Sequence, residues 1–212
     1  MRKKDIIWLL VLFAITLFLI IPGTREIFKD MTASFPYLMG FVKFSILATM
    51  GELLSLRIVN KKWKKPTGLF FRVVVWGFLG VVIVLVFELF NSGVAAAQSQ
   101  GLLPGASSKF MLAFLTSALM NMIFAPTMMA FHRITDTYIE KKHEISAKIN
   151  LEKVVGSVNW EDFVSFVVLK TIPLFWIPAH TIVFLLPEVY RIIAAAFLSM
   201  ALGAILAFAT TR

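Results

Sequence analysis

Glu52 lies in a stretch that is otherwise apolar enough to cross a lipid bilayer, ILATMGELLSLRIV at residues 46–59. Moving a lone carboxylate into hydrocarbon is costly, so such a residue faces a bundle interior, an opposite charge or a water-filled path. Three small polar residues recur around it at spacings of three and four and share its helix face, Ser45, Thr49 and Ser55. The sequence therefore predicts one polar face on this helix.

Charged side chains in other apolar stretches sort into two layers when depth is counted from the ends of the stretches at about 1.5 Å per residue. Each layer contains both signs of charge, as pairing between helices requires. Pairing alone would hold a bundle together, whereas the same groups around water would line a path for solutes. We favour the path, because packing needs fewer charges. The inner layer is Glu52, Arg72 and Lys170, the outer layer is Lys43, Glu88 and His180 with Arg191, and Asn121 lies near mid-membrane.

The residue types argue against several kinds of catalytic site. The chain has no cysteine, which excludes disulfides, thiol catalysis and thiolate metal ligands. Its three histidines, His132, His143 and His180, lie in separate segments without the spacing of metal ligands. No nucleophile–base pair and no glycine-rich phosphate loop is evident, so we expect neither a cofactor nor enzymatic activity. An acid–base site built from Glu52 and His180 is the remaining enzymatic alternative.

The composition indicates a membrane protein. The 212 residues are 59% hydrophobic and 16% charged, with a mean hydropathy of +0.85. A soluble domain is about half apolar and about a quarter charged, so the bilayer must be part of the solvent of this chain. The net charge of +9 does not indicate a nucleic-acid partner, because no basic patch alternates with aromatic residues.

Six stretches are predicted to cross the membrane, since about 20 apolar residues span the hydrocarbon core. We expect an all-α bundle in two parts, an N-terminal signal-anchor helix with an outer loop at 1–35 and a transmembrane bundle at 36–212. The first stretch ends without a small-x-small cleavage pattern, which favours a retained anchor. The predicted spans are 6–22, 36–59, 68–90, 109–131, 163–186 and 189–210.

Basic residues predict that both termini lie on the inner side. Lys and Arg in short loops resist translocation, and the inner segments hold thirteen of them against four in the outer segments. The amphipathic inner loop at 132–162 either extends the fourth helix or is a plain solvated connector. Lysines of the inner NKKWKKP turn suit anionic lipid headgroups, at about 1 kcal/mol each. They are Lys61, Lys62, Lys64 and Lys65.

Small residues and prolines predict where helices touch and bend. A small residue at every fourth position of the last span lets another helix approach closely, and two glycines of the third span favour the same. Pro126, Pro173 and Pro178 bend spans four and five, either as plain kinks or as part of a binding site. The small residues are Ala195, Ser199, Gly203 and Ala207, with Gly77 and Gly80.

Several short elements follow one another in a familiar order across residues 36–212. They are GELLSLRIV (51–59), Arg72 with GFLG (77–80), NMIFAP (121–126), and Trp160 followed by FWIP (175–178) and PEVYR (187–191). The series resembles the Mpv-seventeen and peroxisomal twenty-two-kilodalton membrane protein family. Its corresponding elements are Gly-Asp-x-x-(Ser/Ala)-Gln, Arg…Gly-Phe-x-Gly-Pro, Asp-Gln-x-x-x-x-Pro and Trp…Trp-Pro…Val-Pro-x-x-x-Arg.

This chain departs from the family pattern at several positions. Glu52 replaces the usual aspartate and keeps its charge, whereas Met120 and Asn121 stand where Asp-Gln is usual, so span four has no carboxylate there. Val81 stands where the family has proline. The first span is an addition to the family core. With these departures, the chain resembles a divergent member of the family, and we expect one of prokaryotic type.

The resemblance implies an integral membrane protein that is not an enzyme and that acts as a rather unselective channel for small metabolites or ions. It implies Glu52 as a gating or lining charge, supported by Arg72, Asn121 and Arg191. Family members occupy mitochondrial inner and peroxisomal membranes. The N-terminus here does not read as a mitochondrial presequence. We therefore expect the plasma (inner) membrane in a prokaryote and an organelle membrane in a eukaryote.

The leading functional hypothesis is a multi-pass channel or carrier for small solutes or ions. The alternative is a non-conducting organising or scaffold subunit that binds anionic lipid or a partner protein. A homo-oligomer is compatible with both hypotheses, and neither involves nucleic acid.

Overall fold

The computed structural model describes residues 3–144 and 150–210, and these form helices without any strand. Residues 145–149, part of the predicted inner loop, lie outside the described residues, as do Arg2, Lys148 and Arg212 of the charge count. The elements in chain order are α1 (Lys3–Ile20), α2 (Pro22–Ser34), α3 (Pro36–Asn60), α4 (Leu69–Ser99), α5 (Lys109–Ile123), α6 (Ala125–Glu144), α7 (Leu151–Gly156), α8 (Trp160–Asp162), a π-helix (Phe163–Trp176), α9 (Ile177–Leu185) and α10 (Glu188–Thr210).

Four helical segments are long and apolar enough to cross a membrane, and two bent helix pairs raise the number to as many as six in the part of the chain described. The bent pairs are α1 with α2, at 86°, and α5 with α6, at 45°. The continuous segments are Pro36–Asn60, Leu69–Ser99, Trp160–Leu185 and Glu188–Phe208. The predicted class, an all-α membrane bundle, is confirmed, and its apolar helices indicate a multi-pass integral membrane protein.

The predicted outer loop after the first span is helical instead. Residues 22–34 form α2, which begins at Pro22 and turns away sharply from α1. Proline suits the first turn of a helix because its missing N–H would have no partner there. Phe28 of α2 packs into the bundle core. The α1 helix has no fully buried residue, but Trp8, Leu12, Ile15 and Leu19 pack against the same core, and the Trp8 indole donates to the Met50 carbonyl at 3.2 Å.

The helix α4, which corresponds to the third predicted span, is longer than predicted. It continues from the apolar stretch at 68–90 through residues 91–99, which the sequence analysis assigned to a loop. Alanines at 95–97 favour this continuation, since alanine has the highest helix propensity. Near the end of the helix, the Gln98 side-chain amide donates a hydrogen bond to the Pro104 carbonyl at 2.7 Å. The connection that follows therefore folds back on the helix end.

The α3 helix packs closely against helices on two of its faces. On one face Gly40 meets Gly80 of α4, and a Cβ built at Gly40 would lie 2.8 Å from the Gly80 carbonyl oxygen. On another face Gly51 meets α10, and a Cβ at Gly51 would lie 2.7 Å from the Met200 Cα. Gly203 of the small-residue stripe also faces Gly51. Glycine at these contacts allows the helix backbones to approach, as small residues do in membranes.

Candidate functional site

A central cavity of about 440 Å³ lies between the helices of the bundle. Along α3 its lining runs from Phe44 to Leu56, which is about 18 Å at about 1.5 Å per residue, more than half of a hydrocarbon core of roughly 30 Å. The lining residues of the central cavity fall within 44–56 of α3, 76–87 of α4, 120–121 of α5, Phe124 between α5 and α6, 125–136 of α6, 163–176 of the π-helix, His180 of α9 and 195–206 of α10.

Glu52 lies at one end of the central cavity and is paired with Arg72. The Arg72 guanidinium donates to the Glu52 carboxylate at 2.8 Å, and the Trp76 indole N–H donates to the other oxygen of that carboxylate at 3.3 Å. The Glu52 side chain keeps 18% of its surface exposed and lines the cavity. The carboxylate is thus neutralised on one side and borders open space on the other.

Arg72 gathers two further carboxylates from α6. Its guanidinium lies 3.0 Å from Asp136 and 2.7 Å from Glu140, and its Nε donates to the Thr67 carbonyl at 3.0 Å. The side chain is only 6% exposed, so these contacts take the place of water. With Arg133, which also lines the cavity, three carboxylates and two guanidiniums leave one formal negative charge in excess; of the carboxylates, Glu52 and Asp136 line the cavity and Glu140 does not. We call Glu52, Arg72, Asp136 and Glu140 the Arg72 cluster.

Gly68 allows α6 to reach this position. It has a φ of +64°, in the left-handed region that suits glycine, and it begins the turn into α4. A Cβ there would overlap the Ile139 side chain and lie 3.0 Å from the His143 ring. The start of α4 and the middle of α6 therefore meet, which places Asp136 and Glu140 beside Arg72.

Two aromatic rings cover the Arg72 cluster on the cavity side. The His132 and Trp76 ring centroids lie 4.2 Å apart, and His132 Nδ1 lies 3.5 Å from Asp136. Both rings line the central cavity. They reduce the access of water to the ion pairs while the Glu52 carboxylate stays at the cavity wall.

A second polar group lies at the far end of the central cavity. The Asn121 side chain, 1% exposed, contacts the His180 ring nitrogen Nδ1 at 3.0 Å through its amide nitrogen. Ser117 lies one turn before Asn121 and donates to the Ile177 carbonyl at 2.7 Å. Pro178 has no N–H, and Trp176 stacks on His180 with centroids 5.0 Å apart. The broken helix at α9 is thus joined to α5 by polar contacts.

The walls between the two polar ends are mainly apolar. Phe44, Leu79, Ile83, Met120 and Phe124 line this stretch. A mostly apolar cavity with few polar groups at fixed points is typical of sites that bind or pass small molecules.

The predicted polar face of α3 divides between two surroundings. Glu52 and Ser55 line the central cavity. Ser45 instead donates to the Val73 carbonyl at 3.2 Å, in the contact with α4, and Thr49 is buried outside the cavity lining. Ser45 and Thr49, predicted with them to line a path, do not line the central cavity: Ser45 lies in the α3–α4 contact, and Thr49 is buried with a hydroxyl that has no hydrogen-bond partner among the described residues.

Lys170 does not join Glu52 and Arg72, in contrast to the prediction. It is exposed on the π-helix, and among the described residues it forms no ion pair. The cavity-lining residues of this segment are Phe163, Val167, Thr171 and Trp176. Their spacings of four, four and five match the wider turn of a π-helix rather than the 3.6-residue turn of an α-helix. This turn directs Lys170 away from the cavity.

Three residues of the predicted outer layer border a second cavity of about 470 Å³. Lys43, placed in the outer layer with Glu88, donates to the Thr32 hydroxyl at 2.9 Å and lies over the Phe28 ring. Glu88 accepts from Ser92 instead. The helix α2, missing from the prediction, supplies both new partners of Lys43. The second cavity is lined by Thr32, Ala33, Pro36, Tyr37, Lys43, Val84, Phe87, Glu88, Glu188, Val189, Arg191 and Ile192.

His180 and Arg191 border different cavities. The His180 ring contacts that of Phe87, next to Glu88 of the outer layer, but it lines the central cavity, because α9 directs it toward Asn121. Arg191 borders the second cavity and lies 3.8 Å from Glu188, so it does not support Glu52 directly. Of the three residues that the family resemblance assigns to Glu52, only Arg72 contacts it in the described residues.

The four lysines of the NKKWKKP turn are all exposed between α3 and α4. Beside them, Trp63 and Arg57 both donate to Asp5, at 2.7 and 2.9 Å. This contact places the start of α1 at the same end of the bundle as the lysine turn. Gly203 lies near Ser55, so α10 also ends there.

Asp136, Glu140, Trp76 and His132 were absent from the predicted site. His132, Asp136 and Glu140 lie in the segment at 132–162, which was expected either to extend the fourth span as a helix or to be a plain connector, and α6 shows the helical extension as far as Glu144. These three residues recur every fourth position, the spacing of one helix face. That spacing was the available signal. Among the described residues, no group of three or more His, Asp or Glu is placed to hold a metal ion.

Comparison with family models, curated proteins and solved structures gives no match to this chain. The resemblance to the Mpv-seventeen family therefore stays a prediction.

Proposed function

We propose that this protein is a multi-pass membrane channel or carrier for small solutes or ions, and that the central cavity is part of its path. The observation that carries the proposal is the position of Glu52. Its carboxylate is held by Arg72 and Trp76 and also borders a cavity inside the bundle. A volume of about 440 Å³ lies within the range of small-molecule sites, roughly 300–1,000 Å³.

The charge around the cavity suggests a preference among solutes. The Arg72 cluster contains three carboxylates, and the basic groups beside them are Arg72 and Arg133. Acidic side chains around a pore favour cations. We therefore expect cations and neutral polar molecules to pass more readily than anions.

Two further parts of the proposal concern enzymatic activity and the binding of lipid headgroups. The protein is proposed not to be an enzyme. Glu52 and His180, the one acid–base pair considered, lie at opposite ends of the central cavity. The exposed Lys61, Lys62, Lys64 and Lys65 suit anionic headgroups on the inner side of the membrane.

Solute flux in proteoliposomes tests the proposal. Purified protein should raise efflux of a small cation and of a small neutral solute above that of empty liposomes. Glu52→Gln keeps the size of the side chain but removes its charge, so it should lower cation efflux more than neutral efflux. Glu26→Gln, at a carboxylate on α2 outside both cavities, is the matched control and should change neither. Efflux equal to that of empty liposomes would contradict the proposal.

The second candidate is a non-conducting organising subunit. It is favoured by the number of ion pairs that the Arg72 cluster forms between helices. One guanidinium that holds three carboxylates from two helices joins α3, α4 and α6. Under this alternative, Glu52→Gln lowers thermal stability while no preparation shows flux. The paired flux and unfolding measurements therefore separate the two candidates.

A further inference from the structure

One aromatic side chain borders both cavities of the bundle. Phe87 of α4 lines the central cavity and also the second cavity. It is 6% exposed and thus lies within the protein. The two cavities are separate spaces that meet at this ring.

The two cavities follow one another along the helices. On α4 the central cavity touches positions 76 to 87, and the second cavity touches Val84, Phe87 and Glu88. On α3, which runs in the opposite direction, the second cavity ends at Lys43 and the central cavity begins at Phe44. Phe44 contacts Gly80 of α4, about two turns before Phe87, so the two cavities overlap over part of α4 and follow one another along the bundle.

The Phe87 ring is held in place by aromatic neighbours on α9. Its centroid lies 4.8 Å from that of Phe184 and 5.5 Å from that of His180, with an edge-to-face angle of 84° to the latter. The Arg191 guanidinium, which lines the second cavity, lies over the Phe184 ring at 5.6 Å. Such ring contacts favour one position of the side chain.

We propose that Phe87 is the gate of the path, closed in this structure, and that movement of its ring joins the two cavities. This inference rests on the proposed function. An apolar constriction between wetter spaces excludes water and ions, which is a known way to close a pore. A change of the χ1 rotamer of Phe87 would remove the ring from the boundary without moving a helix.

The absence of cysteine from the chain allows a test that does not depend on transport. Ser199→Cys places a single thiol in the central cavity, at a side chain that bonds only within its own helix in the described structure. A membrane-impermeant methanethiosulfonate reagent is added to one face of sealed vesicles at a time. A thiol reacts as thiolate, so only a water-exposed cysteine is modified.

With Phe87 present, we expect the cysteine at 199 to react from one face only. With Phe87→Ala it should react from both faces, at least tenfold faster than before from the face that was closed. Phe78→Ala, at an exposed ring on the same helix, is the matched control and should leave the closed face closed. If Phe87→Ala does not give a monodisperse protein, Phe87→Val provides the same comparison with a smaller loss of volume.

The outcomes separate the gate from the path. Reaction from the same single face in every Phe87 variant overturns the gate and leaves the proposed path standing. Reaction from both faces with Phe87 present also overturns the gate. Reaction from neither face, in all variants, shows that water does not enter the central cavity, which overturns the proposed function and the gate together.

Discussion

The Glu52 carboxylate lies 2.8 Å from the Arg72 guanidinium and, on its other side, lines the central cavity. The pair therefore joins α3 to α4 and also places a charge at the wall of an internal space. The link between α3 and α4 is a structural role, whereas the charge at the cavity wall supports a role in solute passage. The predictions below distinguish these two properties.

Arg72→Met should lower the free energy of unfolding by about 3 kcal/mol or more, because removing one partner leaves buried carboxylates without a countercharge. Arg72→Lys should recover part of this loss but not all, since an ammonium cannot reach three carboxylates as a guanidinium does. Chemical unfolding in detergent micelles measures both. Arg25→Met, at a half-exposed arginine of α2, is the control and should cost much less. An equal loss for Arg72→Met and Arg25→Met would contradict the role of Arg72.

Asn121→Ala should lower the free energy of unfolding by about 1–3 kcal/mol, because it leaves the buried His180 ring without its hydrogen-bond partner. The matched control is Asn60→Ala, at an exposed residue that bonds only to the Leu56 carbonyl of its own helix. The same unfolding assay applies. A loss no greater than that of the control would show that the Asn121–His180 contact contributes little.

Gly80→Ala should destabilise the fold by about 1–3 kcal/mol, since the added methyl group would overlap the Gly40 backbone in the α3–α4 contact. Gly93→Ala is the matched control on the same helix, where a Cβ meets nothing within 4 Å. It should be stabilising by roughly 0.5–1 kcal/mol, through the lower helix propensity of glycine. Thermal unfolding of the two variants checks both signs. Similar values for the two would mean that α3 and α4 do not pack in this way.

The exposed lysine turn should bind anionic lipid. Addition of phosphatidylglycerol to the purified protein should raise the midpoint of thermal unfolding, and the double change Lys61→Gln with Lys62→Gln should reduce that rise. Lys29→Gln with Lys109→Gln removes the same charge outside the turn and should reduce it less. The rise should also fall as salt is added, because surface charges are screened. An equal effect of the two double changes would argue against a headgroup site at the turn.

The fold class was predictable because long apolar stretches are a strong signal, and helix is the element in which every backbone group can be paired inside a bilayer. The prediction went wrong where a segment had mixed composition. Residues 22–34 and 91–99 are helical although they are only partly apolar. A count of apolar residues identifies helices that suit lipid, but it does not detect a helix that continues beyond the apolar stretch.

Part of the candidate site was also predictable. Glu52 and Arg72 were correctly placed at the same depth, because the rise per residue of a helix is constant and depth therefore follows from sequence position. The direction in which each side chain points around the helix axis was harder to predict from the sequence. Lys170 was assigned to the same layer, yet the π-helical turn directs it outward, and no pattern in the sequence indicated a π-helix. Asp136 was missed because its segment was assigned to the inner side as a helical extension or a connector, outside the layers of charge counted within the spans.

The most direct test of the central claim is the reversal potential of single proteins in a planar bilayer under a salt gradient. The account predicts a conductance with a reversal potential displaced toward that of the cation, and Glu52→Gln should move it toward zero while Glu26→Gln leaves it in place. A reversal potential that Glu52→Gln does not move would contradict a path lined by Glu52, and a bilayer that shows no conductance above the protein-free background would contradict the channel form of the proposal.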